Sequence, residues 1–109
     1  MSVDFESFVG QYVSDLSRAL NSLSKSDLKA LFQEVLAVID GEGTVHFIGN
    51  GGSAATPSHS AGDWSKELAL RTIAHTDNAA SMTAWANDTD YSNIFVGQLS
   101  TFLRGGDLV

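Results

Sequence analysis

The chain has no cysteine and a single proline, and its basic residues number six against thirteen acidic ones in 109 residues. Without cysteine there is no disulfide framework and no thiolate zinc site, so any metal must be held by histidine and carboxylate. That is compatible with the cytoplasm, which is the expected compartment. The formal charge of −7 and the scatter of Arg18, Lys25, Lys29, Lys66, Arg71 and Arg104 leave no basic stripe to displace counterions, so direct nucleic-acid binding is not expected. A phosphorylated metabolite stays open, because backbone N–H groups can build an anion site inside an acidic protein. No apolar run approaches the roughly 20 residues that span a bilayer, and the acidic start Met1-Ser2-Val3-Asp4-Phe5-Glu6 lacks a signal-peptide layout, so no membrane partner is expected.

What is present is a composition that is 43% hydrophobic, ordinary for one globular domain or part of one. From about Val3 to Leu23, Phe5, Phe8, Val9, Tyr12, Val13, Leu16, Leu20 and Leu23 fall at helical spacing. This amphipathic helix packs either on its own domain or against a neighbouring subunit. A second helix follows Ser24-Lys25-Ser26-Asp27, where Ser24 or Ser26 can serve as N-cap. Its broad apolar face runs from Leu28 to Ile39, and Gly41-Glu42-Gly43 ends it. Thr44 to Ile48 then reads as a strand.

That strand runs into Gly49-Asn50-Gly51-Gly52-Ser53-Ala54-Ala55, which reads as a tight glycine turn and a helix N-terminus. Glycine permits positive φ and close approach of backbone to a ligand. The first helical turn offers free N–H groups and the positive end of the dipole, which suit a phosphate. Ser53 can cap the helix or turn its hydroxyl to the same anion. Taken alone, an ordinary strand-to-helix turn fits as well. On the helix beyond, His59 and Asp63 are four residues apart and share a face. Such a pair is either a solvated hydrogen bond or two ligands of one metal ion. Pro57, early in this helix, is expected to be tolerated.

Trp64 and Leu68 read as core or interface. Ala69 to His75 is the expected second strand, with His75 either pointing into a pocket from the strand end or, better, a turn histidine. Thr76-Asp77-Asn78 caps a short helix, Ala79 to Ala86, ending at Asn87-Asp88. A last helix, near Tyr91 to Leu103, is expected to bury Ile94, Phe95, Leu99 and Phe102, with Gly105-Gly106 closing it. Asp107-Leu108-Val109 then starts a third strand.

Gly49 to Ala55, then His59, then Ala84-Trp85-Ala86-Asn87-Asp88 with Tyr91, Phe95 and Gln98, resembles the phosphoheptose isomerase branch of the sugar isomerase (SIS) domain family. The resemblance covers nearly all of this chain, which corresponds to the N-terminal half to 60% of a domain of roughly 190 residues, a single α/β domain. It implies an α/β fold with a doubly wound parallel sheet flanked by helices, truncated after the start of the third strand. Residues 1–40 would be a helical segment for packing and oligomerisation, and 41–109 a partial SIS domain. It also implies aldose–ketose isomerisation of sedoheptulose 7-phosphate, a homotetramer whose subunit contacts use the N-terminal helix, and a zinc cofactor. Asn50, Gly51, Gly52 and Ser53 would lie against the sugar phosphate, and Asn87 and Asp88 would meet the sugar hydroxyls. His59 and Asp63 would hold the metal, with Asp63 also moving a proton. Where the family has Glu, Asp63 is one methylene shorter, a loss of reach of ~1.5 Å on the scale of a carbon–carbon bond. The family's later phosphate loop and its remaining metal ligands lie beyond Val109, so the chain alone is expected to have negligible activity. The alternative function is a non-catalytic SIS-domain module, of the kind that binds a bacterial replication initiator, or an interface fragment joining a homologue.

Overall fold

The computed structural model describes residues 4–109, which form five helices and two strands: α1 (Phe5–Asn21), α2 (Lys25–Asp40), β1 (Thr44–Phe47), α3 (Gly52–Leu68), β2 (Arg71–Ala74), α4 (Ala79–Asp88) and α5 (Asn93–Phe102). Two compact units result, Met1–Phe32 and Gln33–Val109, with the boundary inside α2. Among the described residues no helix is long and apolar enough to cross a membrane.

In the first unit, Asp4 caps α1 by accepting a hydrogen bond from the Ser7 N–H at 3.2 Å. The apolar stripe of α1 is present as the spacing predicts, but no residue of the helix is buried. Ser24, not Ser26, caps α2, its hydroxyl accepting from the Asp27 N–H at 3.2 Å while Ser26 bonds to Ser24.

In the second unit, β1 and β2 pair in parallel, with Thr44 opposite Arg71 and Phe47 opposite Ala74. Val45 also bridges in parallel to Leu108. Since Val45 pairs with Thr72 on one side, Leu108 must lie along the other edge of β1. β1 thus lies between β2 and the Leu108 segment, with the crossovers of a doubly wound arrangement. The core gathers Val38, Val45, Ala61, Ala74 and Ile94. α3 lies against both strands, tied to β2 by the Thr72 hydroxyl, which donates to the Ala61 carbonyl at 2.7 Å. α4 and α5 pack on each other at Gly97, where any Cβ would overlap the Trp85 ring.

The structure moves several boundaries. Ala69 belongs to the end of α3 as a left-handed cap at φ 53°, so β2 begins only at Arg71. Glu42, and neither flanking glycine, takes the positive φ that closes α2. α4 extends through Asn87 and Asp88, which occupy its last turn instead of following it. On α5, Ile94 is buried, whereas Phe95 and Leu99 are half-buried and Phe102 is exposed; Gly97 and Gln98 take the buried positions. Leu68 is also exposed, while Trp64 meets Phe47 edge to face with ring centroids 5.2 Å apart.

Candidate functional site

In an open parallel sheet, a ligand sits outside the carboxyl ends of the strands where the strand order reverses. With β1 between β2 and the Leu108 segment, that point is the end of β1, and the chain there is Gly49 to Ser53. Gly51 is the N-cap of α3 at φ 57° and ψ −125°, a conformation that disfavours a side chain. Of the two roles open to Ser53, capping the helix is therefore excluded. Ser53 lies in the first turn, its N–H donating to the Asn50 carbonyl at 2.9 Å, as that of Ala54 does to Gly51 at 3.0 Å. Gly49 approaches so closely that a Cβ would overlap the Ser53 carbonyl oxygen. Pro57 explains why that carbonyl is turned to Gly49, because proline has no N–H to bond the carbonyl four residues earlier.

On α3, His59 Nε2 and Asp63 Oδ2 are 3.1 Å apart, with side chains 81% and 58% exposed. The i,i+4 spacing thus brings the two together, open to solvent. Among the described residues no third His, Cys, Asp or Glu joins them in a group able to hold a metal ion. Two donors fall short of the three protein ligands usual for catalytic zinc. The residues of this chain do not by themselves fit the cofactor. Asn87 and Asp88 also meet, the Asn87 amide donating to Asp88 Oδ1 at 2.8 Å. Helices α3 and α4 do not pack on each other, so the two polar pairs are carried by separate elements.

The most buried polar cluster is one that sequence reasoning missed. His46 lies in β1 and His75 just after β2, each about 2% exposed. His46 Nδ1 is 2.9 Å from His75 Nε2, and His46 Nε2 is 3.1 Å from Asp107 Oδ2. Asp107 also accepts from the N–H of Thr44 at 2.7 Å and of Arg104 at 2.7 Å. Gln98 spans from α5, its amide donating to the carbonyls of His75 at 3.2 Å and Ile94 at 2.8 Å. His75 does sit in the turn that follows β2, as expected, but its ring is enclosed instead of facing solvent. Burial pushes its pKa below the usual histidine value; the Gln98 side chain opposes this and the neighbouring His46 adds to it. The Thr44 N–H, with help from the Arg104 N–H and His46, holds the Asp107 carboxyl below the usual carboxylate range despite its burial. The available signal was the appearance of histidine inside an otherwise apolar strand, since a buried polar group needs partners.

No family model matches the chain. It is 32% identical over 106 residues to a probable phosphoheptose isomerase of Thermoplasma volcanium, covering 93% of this chain and 54% of that protein. It is 30% identical over 112 residues to the phosphoheptose isomerase of Paramagnetospirillum magneticum, covering 95% and 58%. The solved phosphoheptose isomerase of Neisseria gonorrhoeae superposes with a TM-score of 0.81 at 25% identity, over 94% of this chain and 55% of that one. The chain thus spans a little more than half the length of these three relatives. The α/β fold, the glycine turn at the end of β1 and the identity sustained along nearly the whole chain agree in their direction: what the chain is similar to is the N-terminal part of phosphoheptose isomerases.

Proposed function

We propose that the chain carries part of a sugar-phosphate aldose–ketose isomerase, of the type that converts sedoheptulose 7-phosphate into D-glycero-D-manno-heptose 7-phosphate, working in the cytoplasm. The observation that carries this reading is the unit β1–glycine turn–α3, with the His59–Asp63 pair on the helix that the turn starts. Isomerisation through an enediol moves a proton between adjacent carbons and needs a base near them. Asp63 is the carboxylate assigned to that step, with His59 Nε2 3.1 Å away to orient it. Asn50, Gly51, Gly52 and Ser53 lie against the sugar phosphate, their backbone approaching it without side-chain obstruction at the glycines. Asn87 and Asp88 offer a donor and acceptors to sugar hydroxyls. Zinc enters as an implication of family likeness only, since His59 and Asp63 are short of a full ligand set, and no step is routed through it.

On this reading the 109-residue chain binds the sugar phosphate weakly and turns it over negligibly. A second copy of the chain covers α1, whose exposed apolar stripe supports a homo-oligomer, a tetramer by family likeness. The test is thermal unfolding with and without sedoheptulose 7-phosphate, alongside an isomerisation assay. A ligand of the folded state must raise Tm. A raised Tm that Asp63→Asn leaves in place, without turnover, is the expected result. No shift at millimolar sugar phosphate overturns the substrate assignment, and turnover by the pure chain overturns the assigned inactivity.

A further inference from the structure

The buried histidine pair lies outside the residues assigned to the sugar phosphate, and its geometry limits how many protons it can hold. The ring planes of His46 and His75 are within 6° and their centroids 5.2 Å apart. A ring radius at each end of the 2.9 Å Nδ1–Nε2 contact accounts for that separation. The rings therefore meet edge to edge in one plane, and only one hydrogen fits between the facing nitrogens. Asp107 is an acceptor, so His46 Nε2 must donate to it. With both rings neutral, His75 Nε2–H donates to His46 Nδ1. With one positive charge on the pair the contact survives with a single bridging proton. With two charges both facing nitrogens carry hydrogen, and the contact must break.

What the pair holds is the segment from Leu103 to Val109. His46 N–H donates to the Leu108 carbonyl at 2.8 Å, Leu108 N–H to the Thr44 carbonyl at 3.0 Å, and Thr44 N–H to Asp107 Oδ1 at 2.7 Å. We propose that Asp107, His46 and His75 form a one-proton latch, which keeps the Leu108 segment on β1 while at most one imidazole is charged and releases it when both are.

The surroundings offer the second charge no compensation. From α5 the pair meets neutral Gln98 and the ring of Phe102, whose centroid is 5.9 Å from that of His75. On α3, His59, Asp63, Lys66 and Glu67 are exposed and paired among themselves. Glu42, Arg71 and Arg104 line a pocket with Asp107 at the amino end of the strands. Arg71 and Arg104 can only disfavour a further cation, and the Glu42 side chain is exposed. Asp107 is the one acidic group bonded to the pair, and His46 already uses it. Burial, which lowers the proton affinity of His75, acts in the same direction. With the segment released the facing nitrogens are no longer held together and both can carry hydrogen, so opening takes up a proton and acid favours it.

The test is amide exchange of the full chain from about pH 7.5 to about pH 5, across the histidine range. The Leu108 and His46 protection factors are expected to fall by up to about tenfold per pH unit, the slope for one proton taken up on opening. Amides within α3 keep theirs. His75→Gln, which keeps a donor but cannot charge, is expected to flatten that slope. Imidazole proton–nitrogen spectra of the unaltered chain give a second readout that needs no variant, with exposed His59 as reference. A single bridging proton between His46 and His75, lost together with Leu108 protection, supports the latch. Leu108 protection that stays constant, that follows α3 at every pH, or that survives charging of both rings overturns it.

Discussion

Ala69 sits at φ 53° and ψ 29° as the C-cap of α3, a region that a residue with a Cβ enters at a cost of about 1–2 kcal/mol. Glycine there removes that cost but gains roughly 0.4–1 kcal/mol of freedom in the unfolded chain. Ala69→Gly is therefore expected to stabilise by about 0.5–1 kcal/mol, read as a higher urea midpoint at unchanged slope; a lower midpoint would refute the left-handed cap. Gly49 is the opposite case. A Cβ there overlaps the Ser53 carbonyl oxygen and comes within 3.1 Å of Pro57 Cγ, and neither backbone nor proline ring can swing aside. Gly49→Ala should cost about 1–3 kcal/mol by overpacking and move the turn, so its urea midpoint should drop and any sugar-phosphate shift in Tm should vanish. The glycine turn was legible because glycines after an apolar strand have few other uses. His46 and His75 were not, because the bond between them joins residues 29 apart and needs the β1–β2 register, which no local pattern contains. Asp107, 61 residues from His46, is further still from any local signal.

At the scale of elements, caps and periodicity were the reliable guides. Ser24 and Asn78 each accept a first-turn N–H, as those residue types at those places predict. Ends without such a signal shifted: the end of α3 absorbed Ala69, and α4 absorbed Asn87 and Asp88. Phe102 was expected in the core by spacing, yet it is exposed, and Gln98 takes a buried position where its amide donates to the backbone carbonyls of His75 and Ile94. α3 must be held on the sheet for the glycine turn and the His59–Asp63 pair to keep their places. Among the described residues, the side-chain bond from β2 to the helix interior is Thr72 to Ala61, 2.7 Å and part-buried. Thr72→Val keeps the shape and deletes that bond, with an expected loss of about 1 kcal/mol. The change should appear in the urea midpoint, and faster amide exchange should be confined to α3 and β2. A midpoint equal to the unaltered chain would mean the bond contributes nothing net.

For the whole molecule, the apolar face of α1 and the net charge of −7 act against each other. Phe5 is 72% exposed, Tyr12 61% and Phe8 60%, with Val13 and Leu20 beside them. A contiguous stripe of this kind marks an interaction surface. Copies that bury it must bring like charge together, and that repulsion is screened beyond about 10 Å at 0.1 M salt. Association through α1 should therefore strengthen with ionic strength, the reverse of a contact held by ion pairs. Because unfolding of an associated species depends on concentration, Tm should rise with protein concentration, and more steeply in salt. Phe8→Asp places a charge in the middle of the stripe at a site that is exposed in the single chain. It should abolish the concentration dependence and reduce the native mass to that of one chain, while helix content by circular dichroism stays unchanged. A native mass of one chain for the unaltered protein at every concentration and salt would remove self-association from the proposed function, and the apolar face would then require a different partner.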